Sequence, residues 1–226
     1  MQNIFGIDLE TAPADLATIK RVYPYDPDKV AYGNTKDPAK RKGIDEIHEK
    51  EWFPKLLEKA ALDPCIGTVC AVGIISEGDK IDISTAQDTS ETEMIQDAWK
   101  VYHGIKQGAT VSHIIAGHFL HTFDLPFLIR RSQILGITVP TDIMIGRYFN
   151  KTFVDTAKMW SFYEPHQYPS LEFVARVLNV SRPRLHNVEG KNFRKVLKSD
   201  PEKAINYLED DLYETYAIAQ RLINNQ

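Results

Sequence analysis

Cysteine is scarce in this chain: only Cys65 and Cys70 occur among 226 residues. Their C-x4-C spacing, without a second pair, is a poor zinc signature, and both are expected as reduced core residues of an apolar strand. Long apolar runs are missing as well. None reaches the roughly 18 residues that a membrane helix needs, and the N-terminus opens on a strand pattern instead of a basic-then-apolar leader, so a cytoplasmic protein is expected. Nor is there an excess of positive charge. A formal net charge of -4 excludes a protein that coats nucleic acid through overall charge, though it leaves a local basic groove open. Repeats and low-complexity tracts are absent. With 43% hydrophobic and 26% charged residues, the composition is that of an ordinary soluble globular protein. The length suits one full-sized domain over 1–226 and would cramp a second.

Periodicity supplies the elements. Strands are expected at 3–10, 67–76, 80–84 and 110–117, with Glu77-Gly78-Asp79 as a hairpin turn. Helices are expected at 45–61, 90–106, 125–135, 155–162, 170–179 and from Asp200-Pro201 to about Ile223. Between the first two strands lies an excursion over 13–61, rich in Pro and charge up to about residue 43 and ending in a helix whose apolar side is Trp52, Phe53, Leu56 and Leu57. An excursion of that length reads either as a substrate-flanking segment or as a mobile surface loop. The order of elements points to an α/β fold, a mixed β-sheet flanked by α-helices.

Residues Phe5 to Thr11 read F-G-I-D-L-E-T. As a strand, this segment puts Phe5, Ile7 and Leu9 on one face and both carboxylates, Asp8 and Glu10, on the other. Two adjacent carboxylates resist joint ionisation unless a cation lies between them, so the pair reads as half of a divalent-metal site. Asp124 falls just past a strand end at the start of a helix, where it serves either as a cap or as a ligand-site residue. On the closing helix, Tyr207 and Asp211 are four apart and share a face, at the edge of a core stripe made by Ile205, Leu208, Leu212, Ala219 and Ile223.

Taken in order, D-x-E-T, H-x-x-x-x-F-D-x-P-F-L and Y-x-x-x-D resemble the three exonuclease motifs of the DEDD superfamily, 3′-to-5′ exonucleases of the ribonuclease-H-like fold. Tyr207 places the resemblance in the DEDDy branch. The chain looks most like stand-alone exonucleases related to the proofreading domain of family-B DNA polymerases. Asp155 in F-V-D-T and the segment Ser170 to Ala175 extend the likeness. The resemblance implies two divalent ions, Mg²⁺ or Mn²⁺, held by hard carboxylate oxygens. It implies that Asp8 bridges both ions, that Glu10 and Asp211 complete the water-activating site, and that Asp124 holds the second ion. Tyr207 would orient the attacking water. With an ordinary phenol pKa near 10 it is a poor base at neutral pH.

The resemblance also makes Leu9 and Thr11 candidates to touch the terminal nucleotide. Phe119 and Phe123 are candidates either to stack on bases or to pack as core. One departure stands out: the family has Asn after the His of its second motif, whereas this chain reads Gly117-His118-Phe119, so substrate positioning around His118 is expected to differ. His118 and His121 lack a third nitrogen or sulfur partner and make a poor zinc pair. Between Ser181 and Lys198, six basic residues (Arg182, Arg184, Lys191, Arg194, Lys195, Lys198) face one acid, Glu189. That stretch is either a solvated face or a grip on phosphates, with Lys191 and Arg194 as its foremost candidates. The implied activity is 3′-to-5′ exonuclease action on single-stranded DNA ends. RNA trimming by the same fold, and a silent nucleic-acid-binding module, are the alternatives. Any polymerase or repair partner would be a separate protein, and the sequence carries no signal of oligomeric state.

Overall fold

The computed structural model describes residues 3–107, 113–141, 143, 152–164, 167–183 and 187–224; the expected strand residues 110–112 and Arg184 lie outside them. Five strands, β1 (Asn3–Pro13), β2 (Gly67–Ser76), β3 (Lys80–Thr85), β4 (His113–Gly117) and β5 (Phe153–Asp155), form one sheet in the order β3-β2-β1-β4-β5. β1 is antiparallel to β2 and parallel to β4; β2–β3 is antiparallel and β4–β5 parallel, so the sheet is mixed. Around it stand α1 (Leu16–Val22), α2 (Pro38–Ala60), α3 (Glu91–Gln107), α4 (Asp124–Leu135), α5 (Thr156–Trp160), α6 (Leu171–Val177), α7 (Phe193–Ser199) and α8 (Pro201–Asn224). No helix among the described residues is long and apolar enough to cross a membrane.

The period of two in β1 sorts the core. Leu9, with Phe5 and Ile7 beside it, packs against Met94, Ile95 and Trp99 of α3 and Leu125, Phe127 and Leu128 of α4. Ile4 and Ala12 face the other way, onto Phe193 and Leu197 of α7 and Leu208, Leu212 and Tyr216 of α8. β2 reads as continuously apolar because both of its faces are covered. Its pairing with β1 skips Cys70, between Glu10–Ala71 and Thr11–Val69, and the irregularity turns Cys70 and Ala71 into the same core.

Close approach of α8 to the sheet rests on missing side chains. A Cβ at Gly73 would lie 2.5 Å from Leu212 Cδ1, and one at Gly6 would lie 2.6 Å from Ile75 Cγ2 and 3.5 Å from Tyr216 Cβ. Gly73→Val is expected to destabilise the protein by about 1–3 kcal/mol through overpacking. A urea midpoint equal to that of the parent chain would refute this account.

Several expectations need correction. β5 is too short to carry a periodic signal. α7 lies in the stretch read only for its charge, and α1 in the stretch read as loop. α2 begins at Pro38, where Asp37 caps it by accepting from Ala39 N (2.9 Å), seven residues before the expected start at Asp45. Only Ala60 of α2 is buried. Trp52 gathers instead with Tyr25 and His48, Phe53 lies under the Lys20 ammonium, and Leu57 is exposed. On α8, Ala204 is buried where Ile205 was expected, and Cys65 is exposed while Cys70 is buried.

Candidate active site

Asp8 and Glu10 lie on the β1 face that α8 covers. Where α8 crosses that face it brings in Asp211, and one oxygen from each of the three carboxylates lies within 4.8 Å of the others. Asp124 arrives from the opposite side of the sequence motif, as the first residue of α4. The cap position itself belongs to Phe123, which makes no side-chain capping bond. The Asp124 carboxylate accepts from the Leu9 amide beside Asp8, while its Oδ2 is buried with no partner.

The turn before α4 sets that placement. Phe119 is left-handed (φ 64°), and its carbonyl accepts from Thr122 N (2.9 Å) and Phe123 N (2.8 Å). His121 N donates to Asp155 Oδ2 (3.0 Å), and Asp155 Oδ1 accepts from Ala157 N and Lys158 N at the start of α5. Asp155 is thus a buried clamp between the Asp124 loop and α5. Its D-T-A-K context is an N-cap signal that reveals half of this task; the bond to His121 is tertiary and leaves no local signature. Asn suits a left-handed position better than Phe does, so the departure at Phe119 adds local backbone strain.

Burial and mutual repulsion dominate the electrostatics. Burial, then the charges of Asp124, Asp211 and Glu10, push Asp8 well above the usual carboxylate range, and burial with Asp211 and Asp124 does the same to Glu10. Asp124 is pushed up to about 8, mainly by burial and further by the charge of Asp155. Without a cation such a cluster holds protons. Four hard carboxylates, one with an unpartnered buried oxygen, are a donor set that fits Mg²⁺ or Mn²⁺. Tyr207, one turn before Asp211, hydrogen-bonds to it and packs on the Phe193 ring (6.1 Å between centroids). Burial and the neighbouring carboxylates hold its phenol well above the ordinary value, so it stays protonated and acts as a donor.

These five side chains open onto one cleft of about 780 Å³. The residues expected to touch substrate divide sharply. Phe119 and Phe123 are half-buried on the cleft wall, Phe119 edge-on to His118 and Phe123 against Phe127. Lys191 lines the cleft and pairs with Glu189 (2.5 Å), and a Cβ on adjacent Gly190 would lie 3.6 Å from Glu10 Oε2.

Others are occupied elsewhere. The Leu9 side chain is in the core, and the Thr11 hydroxyl donates to the Ala61 carbonyl (2.7 Å). Both His118 nitrogens are engaged, Nδ1 with Thr156 Oγ1 and Nε2 with the Pro169 carbonyl, each at 2.9 Å. Burial lowers the pKa of this imidazole, so it is neutral. Nε2–H then donates to Pro169, Nδ1 is held against the Thr156 hydroxyl, and no nitrogen is left for a nucleotide or for zinc. Arg194 donates to the Pro13 carbonyl (2.7 Å), tying α7 to the end of β1. Arg182 pairs with Asp210 (3.4 Å) and lies over Tyr213, whereas Lys195 and Lys198 are exposed on α7. The basic stretch is therefore dispersed, and Lys191 alone of the described members lines the cleft. Of the two readings of the excursion, the substrate-flanking one fits the cleft: Leu57, Glu58 and Ala61, with Leu62 just past it, form part of the wall, and the sequence did not single out these residues for it.

No family model matches the chain, and no curated protein does. Among solved structures it is similar to the family B DNA polymerase from the hyperthermophilic archaeon Pyrobaculum calidifontis, with a TM-score of 0.62 at 15% identity. The match covers 99% of this chain and 25% of the polymerase, so the chain spans about a quarter of that protein. At this identity the likeness is one of fold, and it agrees with the ribonuclease-H-like mixed sheet flanked by helices that the sequence led us to expect.

Proposed function

We propose that the protein is a metal-dependent 3′-to-5′ exonuclease of the DEDDy type, acting as a single domain on single-stranded DNA ends. The observation that carries this reading is the convergence of Asp8, Glu10, Asp211 and the unpartnered Asp124 oxygen on one open cleft. The polymerase likeness favours DNA over RNA as the substrate. These carboxylates would hold two divalent ions, whose chemistry would be to activate a water and to offset the charge developing on the leaving 3′ oxygen. Asp8, Glu10 and Asp211, whose oxygens cluster, would hold the ion that activates the water, and Asp124 would serve the second ion. Tyr207, a protonated phenol that donates to Asp211, would orient the attacking water by accepting a hydrogen bond from it. Lys191 exchanges its exposed pairing with Glu189 for a substrate phosphate, since such a surface pair is worth only ~0–1 kcal/mol.

The test is 5′-labelled single-stranded DNA and RNA incubated with Mg²⁺, with Mn²⁺ and with chelator. Stepwise shortening from the 3′ end of DNA, abolished by chelator, is expected. Equal trimming of RNA would replace DNA as the assigned substrate, and binding without cleavage in either metal would refute the reading. In the same assay Tyr207→Phe should lower kcat by about tenfold, the scale of one lost water-orienting hydrogen bond of about 1.4 kcal/mol, with KM little changed. A kcat within twofold of the parent value would remove Tyr207 from the mechanism.

A further inference from the structure

Resting on that exonuclease reading, we infer that Leu57, on the helix that ends the 13–61 excursion, and Leu62, just past it, form the wall that admits an unpaired 3′ terminus and refuses a paired one. Both leucines line the carboxylate cleft while remaining exposed, Leu57 at 37% and Leu62 at 66%. An apolar wall in an anion-binding cleft has nothing to offer a phosphate. It does complement the faces of unstacked bases, which a duplex hides. Glu58 lies on the same wall and repels the backbone from it, while Lys191 lines the cleft beside Glu10. Together they direct the phosphates to Lys191 and the bases to the leucines.

The size of the cleft agrees. Its volume of about 780 Å³ lies within the ~300–1,000 Å³ range of small-molecule sites, room for a terminal nucleotide. The wall is also fastened to the strand that carries Asp8 and Glu10. Ile19, Ala60 and Ile66 give the excursion a small core of their own, with Ala14 and Leu56 packed against it. Thr11 Oγ1 donates to the Ala61 carbonyl (2.7 Å), Ala14 N to the Ile66 carbonyl (2.8 Å) and the Tyr23 hydroxyl to Asp63 Oδ2 (2.9 Å). The leucines therefore keep a set distance from the carboxylates, as a selectivity wall requires.

Binding and cleavage are to be measured separately. Fluorescence anisotropy with Ca²⁺ replacing Mg²⁺ compares a labelled oligonucleotide ending in a single-stranded 3′ overhang with a blunt duplex. The parent protein should prefer the overhang by at least about tenfold, the scale set by removing two leucines' worth of partial apolar burial. The double variant Leu57→Ser/Leu62→Ser should bind both ends alike, and Leu57→Met/Leu62→Met should restore the preference. Both positions are exposed, so circular dichroism should be unchanged. A preference that survives the serine pair, or a parent protein that binds both ends equally, overturns the inference. Overhang preference without any hydrolysis in Mn²⁺ upholds the wall and overturns the exonuclease reading instead.

Discussion

Asp8→Asn is expected to lower the rate of 3′ shortening by on the order of 10³–10⁵-fold, because on the proposed DEDDy reading Asp8 would be common to both ion sites and each ion would contribute several kcal/mol of transition-state stabilisation. The second half of the expectation has the opposite sign to that of most buried substitutions. Burial and the charges of Asp124, Asp211 and Glu10 already oppose ionisation of Asp8. Asn keeps the shape and cannot ionise, so in chelator at pH 8 the variant should melt at or above the temperature of the parent. A structural residue behaves otherwise. The Asp155 carboxylate accepts from three backbone amides, His121, Ala157 and Lys158, and losing it strands buried donors. Activity and thermal unfolding measured on the same preparation separate the two cases. An Asp8→Asn protein that melts well below the parent in chelator, or that retains its activity, refutes the assignment.

The parts of the site that were legible in the sequence are those governed by a local period. Asp8 and Glu10 share a face because they are two apart on a strand, and the structure keeps Phe5, Ile7 and Leu9 on the other side of the sheet. Tyr207 and Asp211 share a helical face for the analogous reason, and they end beside Asp8 because Gly6 and Gly73 let α8 come close. What could not be read was decided by contacts between distant segments. Nothing local says that the Thr11 hydroxyl goes to Ala61, that Arg194 reaches back to Pro13, or that His118 is occupied by Thr156 and Pro169. Each of these groups is chemically suited to a nucleotide, and each is engaged in assembling the cleft. The excursion misled for a related reason: α2 buries only Ala60, so its apolar residues mark the cleft wall and an aromatic cluster instead of a core face.

Divalent-ion affinity should rise steeply with pH. Asp8 and Glu10 are pushed well above the carboxylate range and Asp124 up to about 8, so an ion entering at pH 6 to 7 must displace protons. Each proton released adds one decade of affinity per pH unit, and release of two gives about a hundredfold between pH 6 and pH 7. The metal-free protein follows the same titration in reverse. Acids with folded pKa values raised above their unfolded ones, near 4, bind more protons when native. Their contribution to stability is therefore full below about pH 4 and declines as pH rises towards about 8, where Asp124 ionises. Mn²⁺ should reverse that decline, so the gain in melting temperature on adding Mn²⁺ grows from pH 6 to pH 8. Calorimetric titration of Mn²⁺ in two buffers of different ionisation enthalpy counts the protons directly. An affinity independent of pH over 6 to 8, with no proton release, would mean that the carboxylates are ionised before the ion arrives and that repulsion among them is not what the ion relieves.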